Sequence, residues 1–270
     1  ESGASIPSAA SSYGPQPAPE GQTSYYGPEK IQYRPVVLVL GPGRARGFAH
    51  VGVLRALHAA KIPIAAILGT EMGAFLGGLY ALNGNLNHFE WSLQRFKEES
   101  FRPDDGLFAK LLDRDHAAKK FEEDLERIMG RRDLATAKIP LKIGIELKDR
   151  QQPILVDRGS AVQAVRVAMA APGIFPPGTW ERAPALGAVQ SRPFPVAEAR
   201  AMGLGSVIVV DVSESGELPA AASVELKDAD LVIRPALKGI ALDGFDKRTD
   251  AAFRGQDAIA QNMARIRQLV

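Results

Sequence analysis

Cysteine is absent from all 270 residues, so the chain has no disulfide, no thiolate metal ligand and no cysteine nucleophile. Histidine is scarce: the four present are scattered, which leaves a metal site short of ligands, and no metal or other cofactor is expected. No window reaches the roughly 18–20 uninterrupted apolar residues of a spanning helix, which excludes an integral α-helical membrane protein. Charge of one sign is also missing. Lys plus Arg (33) against Asp plus Glu (31) gives a formal +2, with the signs interspersed. That balance offers no footprint for nucleic acid and no polybasic membrane anchor. What remains is ordinary globular material, 46% hydrophobic and 24% charged, long enough to bury one large α/β core.

Residues 1–34 differ from the rest, being dominated by Ser, Gly, Pro, Gln and Ala, with Ile6, Tyr13, Tyr25 and Tyr26 among their few bulky groups. Such a stretch buries too little apolar surface to offset its ordering entropy, so it is expected to be a disordered linker or tail. A Ser/Pro/Gly stalk that does not begin with Met suits a processed periplasmic or outer-membrane-tethered bacterial protein; a trimmed boundary gives the same pattern.

From residue 35 onward strand and helix patterns alternate. Val36–Leu40 is a continuous apolar run, as expected of a strand buried on both faces. A glycine-rich turn follows, then helical spacing over residues 48–60, a second buried strand at 64–68 and an apolar helix at 72–82. Phe121, Leu125 and Ile128 mark an amphipathic helix opening near Asp115 and closed by Gly130. Strands are expected near Leu141–Leu147 and 154–156, then a helix at 162–171 stopped by Pro172-Gly173. Further strands are expected at 207–212 and Leu231–Ile233, and a last helix carries Ile259, Met263, Ile266 and Val270 on one face. This order implies a mostly parallel sheet with helices on both faces.

Two strand-to-helix turns stand out. The first reads Gly41-Pro42-Gly43-Arg44-Ala45-Arg46-Gly47, followed by His50-Val51-Gly52-Val53-Leu54; the second reads Gly69-Thr70-Glu71-Met72-Gly73. With Met169-Ala170-Ala171-Pro172-Gly173 and the run from Pro195 to Gly203, they resemble the patatin-like phospholipase family over roughly residues 35–212. The resemblance implies a three-layer α/β sandwich at residues 35–270. It implies a G-G-G-x-R-G oxyanion loop after the first strand and a G-x-S-x-G nucleophile elbow after the second. A serine on the elbow would attack the acyl group, an aspartate on another loop would act as base, and loop amides would stabilise the oxyanion. No histidine takes part, so His50 is expected to be a packed, non-catalytic residue.

This chain departs from that pattern at each functional position. Glu71 stands where the serine belongs, and Pro42 and Arg44 stand in the oxyanion loop where glycines are expected, beside Gly43, Arg46 and Gly47. Proline has no N–H to donate, and arginine brings a bulky side chain to the substrate's path. The aspartate position falls on Leu186 or Gly187, neither of which can act as base; Glu181 and Glu198 lie on other turns. The resemblance therefore implies a pseudoenzyme that binds or scaffolds a lipid or protein partner. Glu71 and Arg44 are expected to pair as a structural ion pair filling the former cleft, with Arg46 as a second candidate partner. Two rivals remain. One is a lipid acyl hydrolase with a relocated nucleophile, for which Ser191 and Ser160 are candidates, although Ser160 also suits a helix N-cap. The other is a nucleotide-binding domain, in which Gly41, Gly43 and Gly47 would meet a pyrophosphate and Glu71 a ribose. The apolar segment Phe101, Leu107, Phe108, Leu111 and Leu112 is a candidate lipid or partner face, or else part of the core.

Overall fold

Alternation within the first strand sets the layers. In a computed structural model, which describes residues 34–96, 101, 114–171, 175–214 and 216–270, strand β1 (Val36–Leu40) is buried along its whole length. Its odd and even residues point to opposite faces. Val36, Leu38 and Leu40 join the larger core, while Val37 and Val39 join a smaller one on the other side. Both sides of the sheet are thus covered by helices, which explains a strand with no polar residue. The tail expected at residues 1–34 lies outside the described residues except for Arg34.

Strand β2 (Ile64–Gly69) pairs parallel with β1, and β3 (Leu141–Leu147) pairs parallel with β2. On the other side of β1 follow β7 (Ser206–Val210) and β8 (Leu231–Ile233), both parallel. Beyond β3 the sheet turns antiparallel. Strand β4 (Gln152–Val156) runs against β3, and so does β6 (Ala183–Gly187), which carries β5 (Gly178–Trp180) at the edge. The sheet is therefore mixed and mostly parallel.

Helices α1 (Ala49–Ala59), α2 (Met72–Asn83), α3 (Leu86–Gln94), α4 (Arg114–Met129) and α5 (Ala161–Ala168) follow in chain order. After them come α6 (Val196–Ala201), α7 (Ala220–Glu225) and α8 (Arg248–Leu269). Helix α5 ends three residues earlier than its sequence pattern predicts. The carbonyl of Ala170 instead accepts the Gly187 N–H at 2.8 Å, so the chain leaves the helix to meet the end of β6. Strand β7 likewise stops at Val210 rather than 212. The β5–β6 hairpin is invisible in the sequence because its turn residues, Glu181 (φ 47°) and Arg182 (φ 72°), occupy left-handed backbone without the usual Asn-Gly signal. Phe101 is buried and stacks on Phe245 with ring centroids 4.7 Å apart, so this member of the apolar segment belongs to the core. The rest of that segment lies outside the described residues.

Helices α1 and α8 interlock through two glycines. A Cβ built on Gly52 would lie 1.7 Å from the Ala252 carbonyl oxygen, and one on Gly255 would lie 1.9 Å from that of Ala49. Both obstacles are backbone, which cannot swing aside as a side chain can. Gly52→Ala is expected to lower the unfolding free energy by about 1–3 kcal/mol, the usual range for overpacking. Chemical denaturation checks it, and an unchanged midpoint would show that the helices can separate without cost.

Candidate active site

The register of the sheet gathers the motifs at one edge. Leu40 lies opposite Gly69 on one neighbour and Val210 on the other, so residues 41–44, 70–71 and 211–213 leave their strands side by side. Glu71 stands between β2 and α2 with φ 50° and ψ −117°, a conformation that costs a non-glycine residue energy and survives only where packing enforces it. The packing is visible. A Cβ on Gly73 would sit 2.0 Å from the Leu40 carbonyl oxygen, and the Thr70 hydroxyl donates to the Pro193 carbonyl at 2.8 Å. The sharp turn of a nucleophile elbow is intact, and a glutamate occupies its apex.

The Glu71 side chain folds back under the first loop, where it is 1% exposed. Its Oε2 accepts the Gly43 N–H at 2.6 Å and the Arg44 N–H at 3.0 Å, while Oε1 accepts the Arg44 N–H at 3.2 Å. The Met72 amide, at the first residue of α2, also bonds the carboxyl. Burial pushes the Glu71 pKa up; the amides of Arg44, Gly43 and Met72 and the charge of Arg44 pull against it without cancelling it. The hydrogen bonds that join Glu71 to Arg44 thus come from the arginine's main chain.

The loop has kept its donors, against the expectation that Pro42 and Arg44 would spoil it. The missing N–H is at position 42, outside the donor pair. Gly43 is extended at φ 172°, and Arg44 takes left-handed backbone at φ 48°, which turns both N–H groups inward. Gly47 keeps the loop close to the elbow: its Cβ would meet that of Met72 at 2.3 Å. Arg46 points elsewhere. It is buried and bonds the Ile240 carbonyl and Glu217, both at 2.6 Å, with Glu214 at 3.3 Å. Its role is to tie the loop to the segment after β7.

His50 is fully buried, and its Nε2–H donates to the Gly41 carbonyl at 2.9 Å, holding the start of the loop. Its Nδ1 has no partner, and burial pushes its pKa down to about 4. The position where the family resemblance puts the aspartate is apolar. Gly187 is packed so tightly that a Cβ would fall 2.1 Å from the Ala168 carbonyl oxygen, and Leu186 sits opposite Glu146 on β3. Glu181 is in the hairpin turn, and Glu198 on α6 pairs with Arg192. Ser160 caps α5 by accepting the Gln163 N–H at 3.2 Å. Ser191 Oγ is buried without a partner.

Above Glu71 lies a cleft of about 250 Å³ whose apolar lining comes from Pro42, Ala171, Val189, Leu218 and Leu242. The lining acids among the described residues are Glu71 and Glu217, and Glu217 is taken up by Arg46 and the Glu214 N–H. Sequence reasoning missed Asp211 and Ser213, which adjoin the cleft at the end of β7. Asp211 is nearly buried and accepts the Ser213 hydroxyl at 2.6 Å and Arg234 at 3.0 Å. An acidic residue just past a buried strand was the available signal.

A strand-elbow-helix beside a donor loop defines an acyl-hydrolase type of fold. The model of the patatin-like phospholipase family matches residues 38–197, and the chain belongs to that family. It is 57% identical over 53 residues to Lysophospholipase nte1 of Emericella nidulans, covering 20% of this chain and 4% of that protein. It is 28% identical over 183 residues to Lysophospholipase NTE1 of Debaryomyces hansenii, covering 66% of this chain and 12% of that protein. Among solved structures, VipD from Legionella pneumophila superposes with a TM-score of 0.55 at 9% identity, over 87% of this chain and 67% of that one, a likeness of fold. Family membership replaces the dinucleotide reading, and the amides that would meet a pyrophosphate are occupied by Glu71. No helix among the described residues is long and apolar enough to cross a membrane.

Proposed function

We propose that this protein is a patatin-fold pseudoenzyme, which does not hydrolyse acyl esters and acts by binding or scaffolding. Of a lipid and a protein partner, the apolar cleft favours the lipid. One observation carries the reading: the Glu71 carboxyl occupies the amide hole that would otherwise stabilise a tetrahedral oxyanion. A single oxyanion donor is typically worth about 2.7–4 kcal/mol of barrier, and here two loop donors are already engaged. The elbow also offers a carboxyl in place of a hydroxyl, and the base position is glycine or leucine. The lysophospholipase named for the fungal relatives is therefore not carried over to this chain.

Purified wild-type protein is expected to release nothing above blank from lysophospholipid, phospholipid or p-nitrophenyl esters. Glu71→Ser is expected to stay inactive, because reinstating the nucleophile supplies no base. Wild-type turnover that disappears in Glu71→Ala, Ser191→Ala or Ser213→Ala would overturn the proposal and identify the group responsible.

A further inference from the structure

We propose that the face formed by α3 and α8 is an interface between two copies of this chain. The proposal does not depend on the cleft at Glu71. A groove of about 220 Å³ lies between the two helices, with Phe48, Val51, Leu93 and Ala252 among the residues that line it. Glu90 on α3 and Ala252 on α8 belong to its two sides. The next residue on each helix stands about 100° further round, on the outer crest beside the groove. Those residues are Trp91 and Phe253, 58% and 62% exposed. Leu204 and Val224, the other large apolar side chains exposed among the described residues, lie on separate segments and are ordinary singly. Two exposed aromatics flanking one apolar groove make a patch that water solvates poorly.

Charge decides what covers the patch. Arg95 follows Trp91 by one turn, and its guanidinium lies 4.4 Å from the centre of the indole ring. Asp250 and Asp257 stand one turn before and one turn after Phe253 on the same side of α8. Among the described residues, Arg95, Asp250 and Asp257 have no ion-pair partner. The neighbouring charges are engaged or lie in the groove. Arg254 donates to the Ala236 and Lys238 carbonyls, Glu90 pairs with Arg55 at 2.5 Å, and Arg248 lines the groove. One crest therefore carries an aromatic and a cation, and the other an aromatic and two anions. A second copy related by a half-turn about an axis along the groove lays the α3 of each copy on the α8 of the other. Each Trp91 then faces a Phe253, and each Arg95 faces Asp250 and Asp257. The same contacts form twice, so the pair is closed and self-complementary. An anionic lipid surface would instead meet the two aspartates beside Phe253, which repel it.

The test follows the mass of the full chain by analytical ultracentrifugation up to about 100 µM, a concentration at which an interface of standard size is populated. Wild type is expected to sediment as a dimer. Trp91→Ser and Phe253→Ser are each expected to weaken the dimer by about tenfold or more, as truncation of a central aromatic anchor does. Both side chains are more than half exposed, so the variants keep their fold, which a thermal melt verifies. Arg95→Asp is expected to weaken the dimer as well, and adding Asp250→Arg and Asp257→Arg to it is expected to restore association. Trp91 and the buried Trp180 are the two tryptophans, so a blue shift of emission with rising concentration reports on Trp91. That shift is expected in wild type and not in Trp91→Ser. A wild-type monomer across the range would overturn the proposal, as would a dimer indifferent to both aromatic substitutions. A triple charge variant no tighter than Arg95→Asp would overturn the pairing of α3 with α8. A monomer that binds phosphatidylglycerol vesicles through Trp91 would assign the face to a lipid surface instead.

Discussion

Between pH 6.5 and pH 4 the protein is expected to lose about 3 kcal/mol of stability through one side chain, His50. The ring is fully buried, donates Nε2–H to the Gly41 carbonyl, and has nothing to accept a proton placed on Nδ1. Desolvation therefore pushes its pKa from 6.5 down to about 4, with the Gly41 bond and the charge of Asp211 opposing. The unfolded chain takes up the proton first. The contribution is complete above pH 6.5 and is lost as the pH falls through about 4. Denaturant midpoints of wild type and His50→Gln measured between pH 7 and pH 4 isolate it, because the amide keeps a donor and does not titrate. Parallel pH profiles for the two proteins would show that His50 is not the group responsible. Because His50 holds the loop that carries Gly43 and Arg44, the same acid loss is expected to loosen the grip on Glu71.

Glu71→Ala is expected to cost about 2–3 kcal/mol. It strands the Gly43 and Arg44 amides, each of which loses on the order of 1 kcal/mol or more without an acceptor. Water entering from the cleft limits the loss. The pH dependence has the opposite sign to that of His50. Burial holds the Glu71 pKa above 4.5, so the native state keeps a proton that the unfolded state has released. Its contribution is present below 4.5 and declines as the pH rises toward the folded value. Glu71→Gln cannot ionise, so its stability relative to wild type is expected to improve from pH 4.5 to pH 8 in chemical denaturation. Among the described residues, Arg44 and Glu217 are the other charged groups on the cleft wall, and they are common to both proteins. A constant difference across that range would mean that the Glu71 pKa is not raised.

Much of the scaffold was legible because it is written locally. Val36–Leu40 reads as a doubly buried strand from composition alone, and the rhythm of Phe121, Leu125 and Ile128 describes α4 to within a residue or two. Helix α3 was missed although its signals are present: Asn85 caps it, its side chain accepting the Asn87 N–H at 2.8 Å, and Leu86, Phe89 and Leu93 recur at helical spacing. The hairpin was missed because Glu181 and Arg182 adopt backbone that their side chains do not advertise.

By itself the sequence determined which residues stand at the positions the family resemblance marks: Glu71 where it puts a serine, and Leu186 or Gly187 where it puts an aspartate. It also pointed to the family and to a mostly parallel sheet, while the order of the strands came from the fold. Tertiary structure decided where the Glu71 carboxyl goes. Two residues 28 positions apart meet because β1 and β2 end in register, and the meeting partner on the loop is main chain, whose N–H is the same for every residue but proline. Side-chain identity therefore pointed to an arginine and a charge, while the hydrogen bonds were made by amides whose direction depends on φ at Gly43 and Arg44. Residue types record which groups are available. Which backbone donors converge on them is fixed by the path of the folded chain.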